Sequence, residues 1–213
     1  MTAKHESLFR DSIKVGDQSN YSDISDDGII TFAGTAQRWI QFRPAIRAGK
    51  VAGAGKPTAV SFGANSGYSM PVYNNDDEEI FVVSRVPFRW NGTDNPIFAI
   101  MIMLGGAEDV DDNFKFQLSW TNSACVGCGT ASTRDVPIEQ TIITGRNSQY
   151  CTYCLYFEVD YDDSPNTTLL AGDNISGRLQ RIDATNPDVA NEIIVVDWVI
   201  IYPIDKLGAD ECD

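Results

Sequence analysis

Beyond Gly28 the chain is organised by short runs in which apolar and polar residues alternate with a period of two. The clearest sets Phe114, Phe116, Leu118 and Trp120 against Lys115, Gln117 and Ser119, which puts one face of a strand on a core and the other in water. Leu155, Phe157, Val159 and Tyr161 repeat it. Gly, Pro, Asn and Asp interrupt the runs at intervals typical of sandwiches. The pattern predicts strands over residues 29–33, 36–43, 58–62, 79–90, 97–104, 114–121, 136–144, 154–161, 175–182 and 193–204. No segment offers three turns of helical periodicity with caps. The expected fold is therefore all-β, a jelly-roll-like antiparallel β-sandwich.

Two stretches fall outside the alternation. Residues 1–28 are polar and rich in Asp and Ser, with isolated apolar residues such as Phe9, Ile13 and Tyr21. They read as an extended N-terminal arm, either frayed or ordered against a neighbouring subunit, leaving residues 29–213 as a single sandwich domain. Residues 48–56 are small and flexible and read as a loop between strands.

Composition narrows the partners. Thirty acidic against sixteen basic residues among 213 give a formal charge of −14, which repels phosphate backbones and argues against nucleic acid. No apolar run approaches a membrane span and the start lacks a signal-peptide layout, so the expected protein is soluble and unsecreted, with no membrane partner.

Four of the five cysteines form two CxxC pairs, Cys125 with Cys128 and Cys151 with Cys154. Two such knuckles close a tetrahedral structural zinc site when their turns direct thiolates at one ion. Gly129 suits the turn after the first pair, whereas the second pair runs straight into a predicted strand. Disulfides and free thiols are the alternatives. Either staple would pin a loop spanning 125–154. The single histidine, His5, lies in the arm, so a catalytic zinc with His ligands is not expected.

The acidic run Glu108-Asp109-Val110-Asp111-Asp112-Asn113 opens like a calcium loop, but Phe114 and Trp120 stand where that loop needs Gly and Glu. Asp160, Asp162 and Asp163 form a second acidic patch, and Asp76-Asp77-Glu78-Glu79 reads as a solvated turn. Gly53-Ala54-Gly55-Lys56 ends like a phosphate-binding loop without its first glycine, its Ser/Thr or its following helix. No Gly-x-Ser-x-Gly turn or Cys–His partnership is present, and the chain is not expected to be an enzyme. Among the tryptophans, Trp120 falls on an inward face, while Trp39 and Trp90 could serve either the core or a sugar-stacking surface.

The C-terminal third carries a resemblance. Ile175-Ser-Gly-Arg-Leu-Gln-Arg-Ile182 is followed by an acidic loop and by Ile193-Ile-Val-Val-Asp-Trp-Val-Ile-Ile-Tyr-Pro-Ile-Asp-Lys-Leu-Gly208. An apolar strand with a central Asp-aromatic pair, here Asp197-Trp198, that finishes in an Asp-x-x-Gly turn, here Asp205 to Gly208, resembles the ending of a group of tailed-bacteriophage virion proteins. The segments 81–104 and 114–120 are similar to that group's paired strands. The CxxC pairs depart from it. The resemblance implies a jelly-roll capsid decoration or cement protein, commonly a homotrimer, made in the host cytoplasm and bound to the major capsid protein lattice on the virion surface. A receptor- or glycan-binding sandwich of a phage tail or head fibre is the alternative, and it would require an exposed Trp39 or Trp90.

Overall fold

The structure is a computed structural model that describes residues 13–17, 19–25, 29–34, 38–50, 57–63, 65–73, 78–124, 133–162, 168–204 and 206–207, with the backbone alone for 48–50, 206 and 207. Its described elements are β1 Ile13–Gly16, β2 Tyr21–Ile24, β3 Ile30–Ala33, β4 Arg38–Phe42, β5 Arg47–Lys50, β6 Thr58–Phe62, β7 Asn65–Met70, β8 Glu78–Arg85, β9 Ile97–Leu104, β10 Asn113–Ser123, β11 Arg134–Thr141, β12 Thr152–Glu158, β13 Asn174–Ile182, β14 Ile193–Ile204 and β15 Lys206–Leu207. No helix among the described residues is long and apolar enough to cross a membrane.

Two sheets carry the core. One runs β11-β10-β13-β8-β5, the other β12-β9-β14-β7-β6, with β4 also paired to β14. All of these pairings are antiparallel. Apart from the β10–β11 hairpin, successive strands from β7 to β14 switch between the sheets, so that β7-β14-β9-β12 faces β8-β13-β10-β11. That order is the jelly roll, two interleaved Greek keys closed into a sandwich. The all-β, jelly-roll-like reading of the sequence is the fold observed.

Between the sheets lies one core. Phe98, Ile100, Ile102 and Leu104 of β9 meet Phe114, Phe116, Leu118 and Trp120 of β10, with Trp198, Ile200 and Tyr202 of β14 beside them. Gly177 of β13 is small because the space is taken: a Cβ there would lie 3.0 Å from Phe98 Cε1 and 3.1 Å from Trp198 Cζ2. Arg134 opens β11 and is itself buried, its guanidinium 4.2 Å from the Trp120 ring centroid. This explains why β11 begins before the apolar pattern does.

A third, smaller sheet, β1-β2-β3-β15, takes in part of the expected arm. Asp17 closes the β1–β2 turn by accepting the N–H groups of Ser19 and Asn20 at 2.8 and 2.6 Å. Those bonds hold its carboxyl below the usual range. The boundary drawn at residue 28 thus cuts through a sheet whose strands are too short and polar to show a period. Residues 1–12 lie outside the described residues. The loop expected at 48–56 begins with β5, which pairs with β8, and its Gly53–Lys56 portion is also outside them.

Candidate functional site

The outward surfaces of the two large sheets differ in character, and the strand sequences dictate the difference. Along β10 and β13 the outward residues include Lys115, Gln117, Ser119, Arg178 and Gln180, bordered by Asp135 and Glu139 of β11. Glu79 of β8 faces outward among them and is nevertheless buried, binding Arg178 at 3.1 Å and accepting from Gln180 at 2.9 Å. It is not part of a solvated turn. Thr185 N–H, 2.6 Å from Glu139, is the main cause that keeps that carboxyl low, ahead of Lys115.

The outward face of the other sheet is apolar along β9 and β14. β9 and β14 are apolar at nearly every position, so each presents hydrophobic side chains on both sides. Register places Met103 beside Ile194, Ala99 beside Val199 and Ile97 beside Ile201, and residues opposed across strands share a face. Strands of this kind belong in sheets covered on both sides. One charge falls in the middle of this face, Asp197, which a bulge turns outward while Trp198 turns in. Arg43 neutralises it at 3.2 Å.

The β6–β7 hairpin roofs part of this face. Gly67 crosses so close to β14 that a Cβ would lie 2.6 Å from Val195 O and 2.7 Å from Ile194 Cγ2. Although β6 and β12 are opposite edges of the sheet, Phe62 reaches Tyr150, just before β12, with the rings stacked at 6.1 Å and 22°. Ile97, Ala99, Met101 and Ile201 remain half-buried.

At each end of β12 lies an open depression. The far one, about 570 Å³, is lined by Trp39 of β4, Asp94 and Asn95 before β9, and Glu158, Asp160 and Asp162 at the close of β12. Asn95 ties its walls together, donating to Glu158 at 2.9 Å and accepting from Tyr161 N–H at 3.2 Å. Trp90 is core: it is 4% exposed, donates Nε1 to Asp94 O at 2.9 Å, and meets Tyr161 edge-on. Trp39 is 52% exposed. Of the two ambiguous tryptophans, only Trp39 meets the requirement for sugar stacking. Asp163 is outside the described residues.

The near depression, about 700 Å³, lies where β11 and β12 meet and is lined by Gln140, Arg146, Tyr150, Thr152, Cys154 and Tyr156 among others. Tyr156 was legible as an aromatic residue on the polar side of the β12 alternation. Tyr150 and Arg146, on an irregular connection, left no periodic signal.

Of the four expected metal residues, the structure describes Cys151 and Cys154. Cys151 is half-buried against the core, and Cys154 is exposed on the outward face of β12; neither is disulfide-bonded. Cys125 and Cys128 are outside the described residues. The strand ends flanking them, Ser123 and Arg134, lie at the end of the sandwich opposite Cys151, since Thr141, not Arg134, leads into the Cys151 connection. Among the described residues no three His, Cys, Asp or Glu side chains form a group able to hold a metal ion. Cys154 should react with iodoacetamide first and Cys151 more slowly, as followed by peptide mass. A Cys154 that reacts only after chelation would assign it to a metal.

The Glu108–Asn113 run has a different role. Buried Glu108 accepts the N–H groups of Ala190 and Asn191 at 2.9 and 3.0 Å. Asp112 accepts Asp109 N–H at 3.1 Å. Nearby Arg181, 6% exposed, donates to the carbonyls of Pro71, Asn191 and Val189 at 2.8, 3.1 and 3.2 Å. Burial lowers the Arg181 pKa, an effect opposed by Asp188 and Glu108. Burial likewise pushes the Tyr202 phenol up.

No protein-family model matches the chain, and no curated protein matches it. Among solved structures it is similar to the family 11 carbohydrate-binding module from Clostridium thermocellum, determined in complex with a β-1,3-1,4-mixed-linked tetrasaccharide. That similarity has a TM-score of 0.35 and 12% identity, covering 76% of this chain and 87% of the module. It is too distant to transfer any residue's role.

Proposed function

We propose that the chain is a non-enzymatic structural protein of a virus particle, a decoration or cement protein that binds the major capsid protein lattice as a homotrimer. The supporting observation is the apolar outward face of β9 and β14. Copies carrying a charge of −14 repel one another, and this face, with Asp197 paired to Arg43, is where they can approach without opposing charges. Three capsid contacts on one rigid trimer then act together, and avidity replaces individual strength. The tailed-phage resemblance of the 175–208 segment supplies the particle. Ala99 is half-buried between Tyr156 and Val199. Ala99→Glu should convert a trimer to monomers by light scattering while leaving the β-sheet circular dichroism unchanged. An Ala99→Glu protein of unchanged mass would remove the face from the assembly.

A second reading, a saccharide-binding sandwich of a phage fibre, is favoured by the exposed Trp39 beside the hydrogen-bonding groups of the far depression. If the far depression is the site of that binding, Trp39→Ala abolishes retardation in polysaccharide affinity gels, and unchanged retardation by a polysaccharide the wild type binds would exclude Trp39 from the site.

A further inference from the structure

The two depressions flanking β12 differ in charge, and that difference assigns a ligand. In a chain this acidic, the near depression is lined by no carboxylate among the described residues: its polar groups are Gln140, Arg146, Thr152 and the hydroxyls of Tyr150, Tyr153 and Tyr156, with the Cys154 thiol among them. Arg146 is exposed and has no ion-pair partner among the described residues. Tyr150 and Tyr156 are 52% and 59% exposed, so two aromatic rings stand in water beside an unpaired guanidinium.

The arrangement is also held in place. Tyr153, 4% exposed, donates its hydroxyl to Arg146 O at 2.9 Å and accepts Ile143 N–H at 3.3 Å, fixing the turn that carries Arg146. Gln149 Nε2 binds Gly105 O at 2.7 Å, and Tyr150 N–H binds Leu104 O at 2.9 Å. Tyr150 sits at φ +69°, a left-handed conformation that a bulky residue adopts only when its surroundings impose it. Phe62, from the far side of the sheet, stacks on its ring.

We propose that this depression binds an acidic saccharide, with a sugar ring packed on Tyr156 or Tyr150 and its carboxylate or sulfate on Arg146. Sugar C–H faces stack on aromatic rings, and a guanidinium forms charge-assisted, bidentate bonds with a pair of anionic oxygens. This deepens the saccharide reading given above and moves its site from Trp39 to the other end of β12.

The test is calorimetry on the full chain with hexagalacturonate, 3′-sialyllactose and a chondroitin sulfate hexasaccharide, each against its uncharged form, methyl-esterified at the carboxylates and, for the chondroitin sulfate, also desulfated. At least one acidic form is expected to bind about tenfold or more tightly than its neutral counterpart, the worth of one charge-assisted contact. Arg146→Gln should erase that preference, and Tyr156→Ala should weaken both forms. The bound saccharide should slow alkylation of Cys154, while Trp39→Ala leaves binding unchanged. Equal binding of acidic and neutral forms by the wild type overturns the proposal. Binding lost in Trp39→Ala and kept in Tyr156→Ala also overturns it but leaves the saccharide reading standing at the far depression. No binding of any acidic saccharide overturns the proposal; if polysaccharide gels also show no retardation, the saccharide reading falls with it.

Discussion

Replacing Arg181 with alanine is expected to cost about 3–5 kcal/mol of stability, the range found when one member of a buried charged network is removed. The guanidinium is nearly enclosed and satisfies three backbone carbonyls, those of Pro71, Val189 and Asn191. It thereby joins the connection after β7 to the one before β14. Removing it orphans those carbonyls and leaves Asp188 and Glu108 without their cation. Glu108 in turn caps Ala190 and Asn191. The Glu108→Ala and Arg181→Ala losses should therefore not add, because the double variant no longer holds an uncompensated buried charge. Urea titrations of the single and double variants measure this. Additive losses would mean that the two residues act separately.

Trp198→Ala is expected to cost a comparable amount, about 3–5 kcal/mol as for other large-to-alanine core changes. Trp198 is fully buried, meets Phe98 edge-on at 5.9 Å and covers Gly177. The absence of a side chain at 177 means that no neighbour on β13 can collapse into the space. A companion Gly177→Leu change, overpacked in the wild type, should recover part of the loss in the Trp198→Ala background. Thermal melts compare the three; a Gly177→Leu change that lowers stability equally in both backgrounds would show that the cavity is not shared.

Much of this fold was legible because its central strands obey a simple rule. The period-two runs of β10 and β12 placed Phe114, Phe116, Trp120, Leu155 and Phe157 inward, and the apolar runs 97–104 and 193–204 coincide with β9 and β14. β1, β2, β5, β7 and β15 were not legible. They are short strands such as Asn65–Met70, whose Gly, Ser and Asn residues pair through the backbone and leave no hydrophobic period.

The sites follow the same division. Trp39 was a sequence candidate whose exposure only the fold could decide. The carboxylates around it come from connections distant in sequence, and Asp160 and Asp162 had been notable only as an acidic patch. Glu108 appeared to be one of several loop acids, yet it is a buried cap, because its partners at 190 and 191 lie about eighty residues away. The apolar outward face was present in the sequence as strands hydrophobic at nearly every position. Its significance became visible once those strands were seen to have a second sheet on one side only.

The central claim, that this face joins copies of the chain into a particle-binding trimer, is tested most directly by native mass spectrometry of the full chain, with and without chelator. The account predicts a species of three subunits for the wild type and of one subunit for Ala99→Glu. A wild-type chain that remains a 23.4 kDa monomer at micromolar concentration would contradict it.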